Sequence, residues 1–267
     1  MLSDAPDPII EAKRKARNLD AVLATAAIVG CLLLWWLVSA TGLINPVLLP
    51  APGEVLSAFV QSVRDGTIWV NTGASLLRVL EGFLMGFSFA VPLGVLMGNS
   101  RVARGLIEPL IELLRPIPPI AIIPLMILWF GIGELSKVFI IAYGAFFPIL
   151  VNTMAGFREV DPVLVRAART LGASRWHIFR DVVLRSALPF IVVGARLGMG
   201  LAFIVLVAAE LIASSEGLGF LINDARYNFR TDRVFLGMIL IGILGFVLNK
   251  LLIEIERRLL RWRAVTA

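Results

Sequence analysis

The chain has 267 residues, 58% of them hydrophobic, with a mean hydropathy of +0.89. That balance excludes an ordinary soluble domain and points to a polytopic membrane protein. One cysteine (Cys31) and one histidine (His177) leave no disulfide framework and no His-rich metal site, and the net charge of +6 is unevenly distributed.

A charged tail, 1–20, precedes an uncharged apolar run at 21–44. The run is too long for a signal peptide and reads as a retained first helix. An outer loop is expected at 45–75 and a membrane core at 76–255, with a second tail at 256–267. About 20 apolar residues are needed to cross a bilayer. Further candidate spans are enclosed by 81–101, 115–134 (beginning near Leu106), 137–158, 187–212 and 234–249, the last continuing to Ile253 because Lys250 can snorkel. Six spans place both termini on one side. The positive-inside rule makes that side cytoplasmic, with about eighteen Lys and Arg there against six on the other.

On the second span, Gly82, Gly86, Gly94 and Gly98 form a small-residue stripe and predict close helix packing, as do Gly194, Gly198 and Gly200 on the fifth. Arg78 and Glu81, at i,i+3 spacing, read as a local ion pair at the outer interface. The third span carries Pro116, Pro118, Pro119 and Pro124, each removing a backbone donor. It is either a kinked packing helix or a broken helix that lines or gates a path, with Pro118, Pro119 and Pro124 at that path. Gly131 and Gly133 predict a tight turn into the fourth span. Arg196 and Glu210 are intramembrane charges on the fifth span, about 21 Å apart along a helix, and cannot pair with each other. Each is a path residue by default, or is satisfied from a neighbouring helix.

The polar segment 158–188 lies between two apolar runs. Asp161 and Pro162 predict a helix start, Gly172 a helix stop, and Ser174 the cap of a second short helix bearing Trp176 and Phe179, with Pro189 opening the fifth span. This hairpin either packs on the bundle and lipid headgroups or receives a protein partner. A DNA-binding helix-turn-helix is disfavoured by the flanking spans. No Gly-x4-Gly-Lys-Ser/Thr loop is present, so the chain does not bind ATP in that manner.

Ala167-Ala168-x3-Gly172, then Val182-x-Leu184 and Ser186-Ala187-Leu188-Pro189, resembles the EAA loop of ABC importer permeases. That pattern is Glu-Ala-Ala, three residues, Gly, nine residues, Ile-x-Leu-Pro. Arg166 stands where Glu is usual and Arg185 where the first Pro is usual. Leu49-Pro50-Ala51-Pro52-Gly53-Glu54-Val55, Pro116 to Pro119 through Gly133, Gly144 to Pro148, and Ser215-Glu216-Gly217-Leu218-Gly219 are similar to the nitrate, sulfonate and taurine importer type.

The resemblance implies an all-α transmembrane fold of the type I importer class with about six helices, in a bacterial inner membrane. It implies no cofactor on this chain, ATP and magnesium being held by the ATPase. Its partners would be a second copy of itself, two ABC ATPase subunits, a periplasmic solute-binding protein and membrane lipid, with no nucleic acid. ATPase coupling would fall to Arg166, Ala167, Ala168, Gly172, Ala173, Ser174, Leu188 and Pro189, with an acidic ATPase residue opposite Arg166. The expected solute is a small anion such as taurine, an alkanesulfonate or nitrate. The alternatives are a stand-alone secondary transporter or a membrane scaffold that recruits a cytoplasmic partner.

Overall fold

The computed structural model describes residues 8–42, 44, 45 and 47–260, excepting the side chains of 8–18, 20, 21 and 24. The side chains of Lys13, Arg14, Lys15 and Arg17, and residues Arg261 and Arg263, lie outside the described residues. Every regular element described is helical: α1 Pro8–Ala40, α2 Pro52–Arg64, α3 Thr67–Asn99, α4 Arg101–Leu114, a 3-10 turn Pro119–Ile122, α5 Ile123–Phe130, α6 Glu134–Arg158, α7 Pro162–Thr170, α8 Arg175–His177, a π-helical turn Ile178–Val183, α9 Leu184–Ala213, α10 Leu218–Tyr227 and α11 Thr231–Leu259.

Among the described residues, four stretches are long and apolar enough to cross a bilayer: α3, α6, the continuous helix Arg175–Ala213, and α11. The pair α4 and α5 makes a fifth span broken by an 84° bend, and α1 contributes a shorter apolar stretch, Thr25–Ala40. The second span starts at Thr67 rather than near residue 81. Its polar residues Asn71, Ser75 and Arg78 did not end the helix, because all three are buried and paired inside the bundle.

The third span, expected as a kinked or a broken helix, is broken into α4 and α5. The chain turns between Leu114 and Pro119, where three prolines cannot continue the hydrogen-bond ladder. The Leu114 carbonyl released there accepts from the Tyr143 hydroxyl at 2.9 Å, so the break is satisfied by protein. The expected loop 45–75 contains α2, whose first turn is held by Glu54 accepting from the Ala51 amide at 3.0 Å. Its Val55 and Ala58 pack on Leu236 of α11 and on Trp35.

The core is the α3–α6–α9 layer with α6 in the middle. A Cβ at Gly82 would come within 2.5 Å of Ile141, and one at Gly94 within 2.7 Å of Thr153. On the other side of α6, Gly194 abuts Asn152, Gly198 abuts Ile149, and Gly144 abuts Val205. Lipid supplies no hydrophobic drive to join helices, so this close approach, and the dispersion contacts it allows, holds the layer together. Gly200 departs from the expected packing role. It faces open space beside a small cavity between α9 and α11 that Arg196 and Phe203 also line.

Candidate coupling hairpin and buried polar clamp

The hairpin is built by local rules. The Asp161 carboxylate accepts from the Val163 amide at 2.7 Å, and Pro162 occupies the first helical position of α7. Gly172 adopts φ +78°, and its amide and that of Ala173 close back onto the carbonyls of Arg169 and Ala168. Ser174 Oγ accepts from the His177 amide at 3.3 Å and lies 2.6 Å from His177 Nδ1. Beyond that cap the second helix is not a separate element. It passes through the π-helical turn directly into α9, and Pro189 is buried within the helix rather than at its opening. The wider π turn, about two to three turns before Pro189, is the local irregularity of this helix.

The outward side of the hairpin mixes apolar side chains with the exposed Arg166, Arg169 and Arg175. Val163, Leu164 and Trp176 are exposed, and Leu171 is 87% exposed. Ala167 is exposed beside them, while Ala168 and Ala173 are half-buried. Phe179 turns inward, stacking on Phe157 at the end of α6 (6.2 Å between centroids) and under Trp176 (6.0 Å). Arg166 makes no ion pair among the described residues. Arg185 lies 3.6 Å from Asp181, and Leu188 is half-buried on the way into the span.

At the opposite end of the bundle is a second constellation. Arg78 of α3 is 2% exposed and uses all three guanidinium nitrogens. Nε and Nη2 grip both oxygens of Glu134, the first residue of α6, at 2.5 and 2.8 Å. Nη1 donates to Glu210 of α9 at 2.9 Å and to the Glu216 carbonyl at 2.6 Å. Glu210, 1% exposed, also accepts from the Ser75 hydroxyl at 2.8 Å and the Gly219 amide at 2.9 Å. Ser75 in turn accepts from the Leu218 amide, and Asn71 from the Gly217 amide at 2.7 Å. Lys137 adds 2.8 Å to Glu134. Charges taken out of water cost several kcal/mol each unless geometry and hydrogen bonds are complete, and around Arg78 and Glu210 they are.

This arrangement corrects the expected Arg78–Glu81 pair. Glu81 is exposed, whereas Arg78 points into the bundle toward carboxylates on other elements. Among the residues singled out in the sequence, Glu210 is in the clamp. Arg196 pairs instead with Glu256 of α11 at 3.1 Å, so both intramembrane charges are satisfied from neighbouring helices. Pro118 and Pro124 are exposed, and Pro119 starts the 3-10 turn; none of the three meets Arg196 or Glu210. Sequence reasoning missed Asn71, Ser75, Glu134 and Lys137. The available signal was that Asn71, Ser75, Arg78 and Gly82 follow one another at helical spacing on the face that packs inward.

Residues 90–262 match the family model described as binding-protein-dependent transport system inner membrane component. The taurine transport system permease protein TauC of Escherichia coli (strain K12) is 40% identical over 92% of this chain and 91% of its own length. The aliphatic sulfonates transport permease SsuC of the same organism is 40% identical over 88% and 89%. The riboflavin transport system permease protein RibX of Chloroflexus aurantiacus is 35% identical over 87% and 87%. A chain of the MetNI methionine ABC transporter, solved in inward-facing conformations, shares the fold: TM-score 0.58 at 22% identity, covering 70% of this chain and 93% of that one. The chain therefore belongs to the family of binding-protein-dependent transport system inner membrane components, as an ABC importer permease subunit.

Proposed function

We propose that the chain is the permease subunit of an ATP-driven importer for small sulfonates, taurine or alkanesulfonates first and nitrate as a further anion. Two copies span the inner membrane with both termini cytoplasmic, and two separate ATPase subunits hold ATP and magnesium. A periplasmic solute-binding protein delivers the solute. The observation that carries this reading is the hairpin: a short capped helix, stopped by a left-handed glycine, leaves Leu171 87% exposed and Leu164 and Val163 exposed beside it among the described residues.

ATP-driven closure of the ATPases displaces α7, and the continuous helix Arg175–Ala213 carries that displacement into the membrane. Arg166 reaches toward an acidic residue on the ATPase, and Ala167, Ala168 and Gly172 keep the docking surface shallow. One hairpin per chain requires a second copy to serve two ATPases, and a two-fold homodimer is the simplest arrangement. The broken span, with Pro118, Pro119 and Pro124, lines or gates the translocation path. The 40% identity to the taurine permease TauC and to the aliphatic sulfonates permease SsuC supports the sulfonate reading.

The test is equilibrium binding by the cognate binding protein across taurine, alkanesulfonates, nitrate and bicarbonate, followed by uptake into liposomes holding the full complex. Sulfonate binding with ATP-dependent uptake is expected. Uptake without any ATPase would overturn the importer reading.

A further inference from the structure

We propose that Arg78 is a positioning residue for transport. It hands the movement of α9 to α3, α6 and α10 at the end of the bundle away from the hairpin, and tight coupling of hydrolysis to transport depends on it. The inference rests on the permease reading above.

Three observations lead there. First, Arg175–Ala213 is one unbroken helix of 39 residues, about 58 Å long, with the hairpin at one end and Glu210 one turn from the other. A push on the hairpin therefore arrives at Glu210. Second, α9 is seated on α6 along its length through Gly144, Gly156, Gly194 and Gly198, but it meets α3 much less. The polar connection between α3 and α9 is concentrated in Ser75 and Arg78 against Glu210. Third, the same few atoms reach α10, because Leu218 and Gly219 donate their amides to Ser75 and Glu210, and the Gly217 amide donates to Asn71.

Arg78 joins α3 to Glu134 of α6 and Glu210 of α9, and its Nη1 also reaches the Glu216 carbonyl just ahead of α10. Its planar fork matches Glu134 with two nitrogens while the third holds Glu210, which a lysine cannot reproduce. With the clamp closed, α9 cannot shift at its far end without carrying α3, α6 and α10. With it open, α9 can follow the ATPases alone, and hydrolysis proceeds without moving the rest of the subunit.

The clamp can be cut at one limb without opening the core. Glu134 has a 57% exposed side chain, whereas Glu210 is buried. The experiment uses the whole complex in liposomes: this chain with its ATPase and its taurine-loaded binding protein, reading ATP hydrolysis with and without the binding protein and taurine taken up per ATP.

Glu134→Gln is expected to preserve complex yield and to lower thermal unfolding less than Glu210→Leu does, because the Glu134 side chain is 57% exposed and glutamine keeps one carbonyl oxygen for Arg78. Hydrolysis and uptake are therefore read per assembled complex. Hydrolysis without the binding protein should rise about 5-fold or more, the low end of coupling between distant sites, and uptake per ATP should fall correspondingly. Arg78→Gln should do more, and Arg78→Lys should lie between. If hydrolysis and uptake fall in proportion, or if stimulation by the binding protein is unaltered in Glu134→Gln, the clamp is a structural element only and the proposal is overturned. Should Arg78→Gln fail to assemble, Glu134→Gln decides alone. A native complex that hydrolyses ATP but takes up neither taurine nor any other sulfonate sinks the solute reading, not the clamp; the hydrolysis arm still tests the clamp.

Discussion

At the scale of single residues, the chain concentrates its risk in a few buried polar atoms. Glu210→Leu removes the carboxylate that Arg78, Ser75 and Gly219 share and leaves a buried guanidinium short of a partner. A loss of about 3–5 kcal/mol is expected, read as lower thermal stability and lower yield in detergent. Gly217 sits at φ +119°, and a Cβ there would collide with the Glu210 carboxylate. Gly217→Ala should therefore cost at least about 1–3 kcal/mol by the same thermal measurement, through strain and through displacement of Glu210. Gly200→Ala is the control: nothing lies within 4 Å of its Cβ direction, and it should leave stability unchanged or slightly raised. These residues were only partly legible in the sequence. Glu210 stood out as a charge in an apolar run. Asn71 and Ser75 did not, because polar residues near a span's end are ordinary and only their partners make them important.

At the scale of elements, the hairpin shows how far local rules reach. The Asp161 cap, the Gly172 stop and the Ser174 cap are all read from short-range chemistry, and all three are present. What local rules missed is that the second helix continues through a π-helical turn into the span. A proline early in a helix commonly marks its start, and here the packing of Phe179 and Ala187 against Phe157 kept the helix going instead. Leu171→Glu should abolish binding of the purified ATPase while the subunit remains membrane-inserted and folded, because Leu171 is 87% exposed among the described residues. Gly172→Val forces a β-branched residue into the left-handed region. It should weaken ATPase binding by at least about 10-fold, the equivalent of the ~1–2 kcal/mol that conformation costs. The broken third span was legible as a break from its prolines. Its 84° bend and the Tyr143 bond that satisfies it were not.

At the scale of the molecule, one helix joins two distant chemistries. The hairpin and the clamp lie at opposite ends of the Arg175–Ala213 helix, and the glycine-faced contact with α6 keeps that helix seated between them. Gly86→Leu, which would drive a side chain into the backbone of α6 at Ala142, should separate α3 from α6. Lower yield and loss of transport are expected even though both the hairpin and the clamp residues are intact. Measured in the assembled complex, Arg166→Glu should weaken ATPase association, since an acidic residue is proposed to face it. Unchanged or stronger association would overturn that partner.

The amino-acid sequence by itself determined the membrane class, the spans to within about a turn or two at most ends, the capped hairpin and the family, since each depends on hydropathy, capping chemistry or spacing along one strand of chain. Tertiary structure alone decided where the charges went. Arg78 turned from Glu81 to Glu134 and Glu210, and Arg196 turned to Glu256, because a guanidinium held away from water takes whichever carboxylates the packed helices bring within reach.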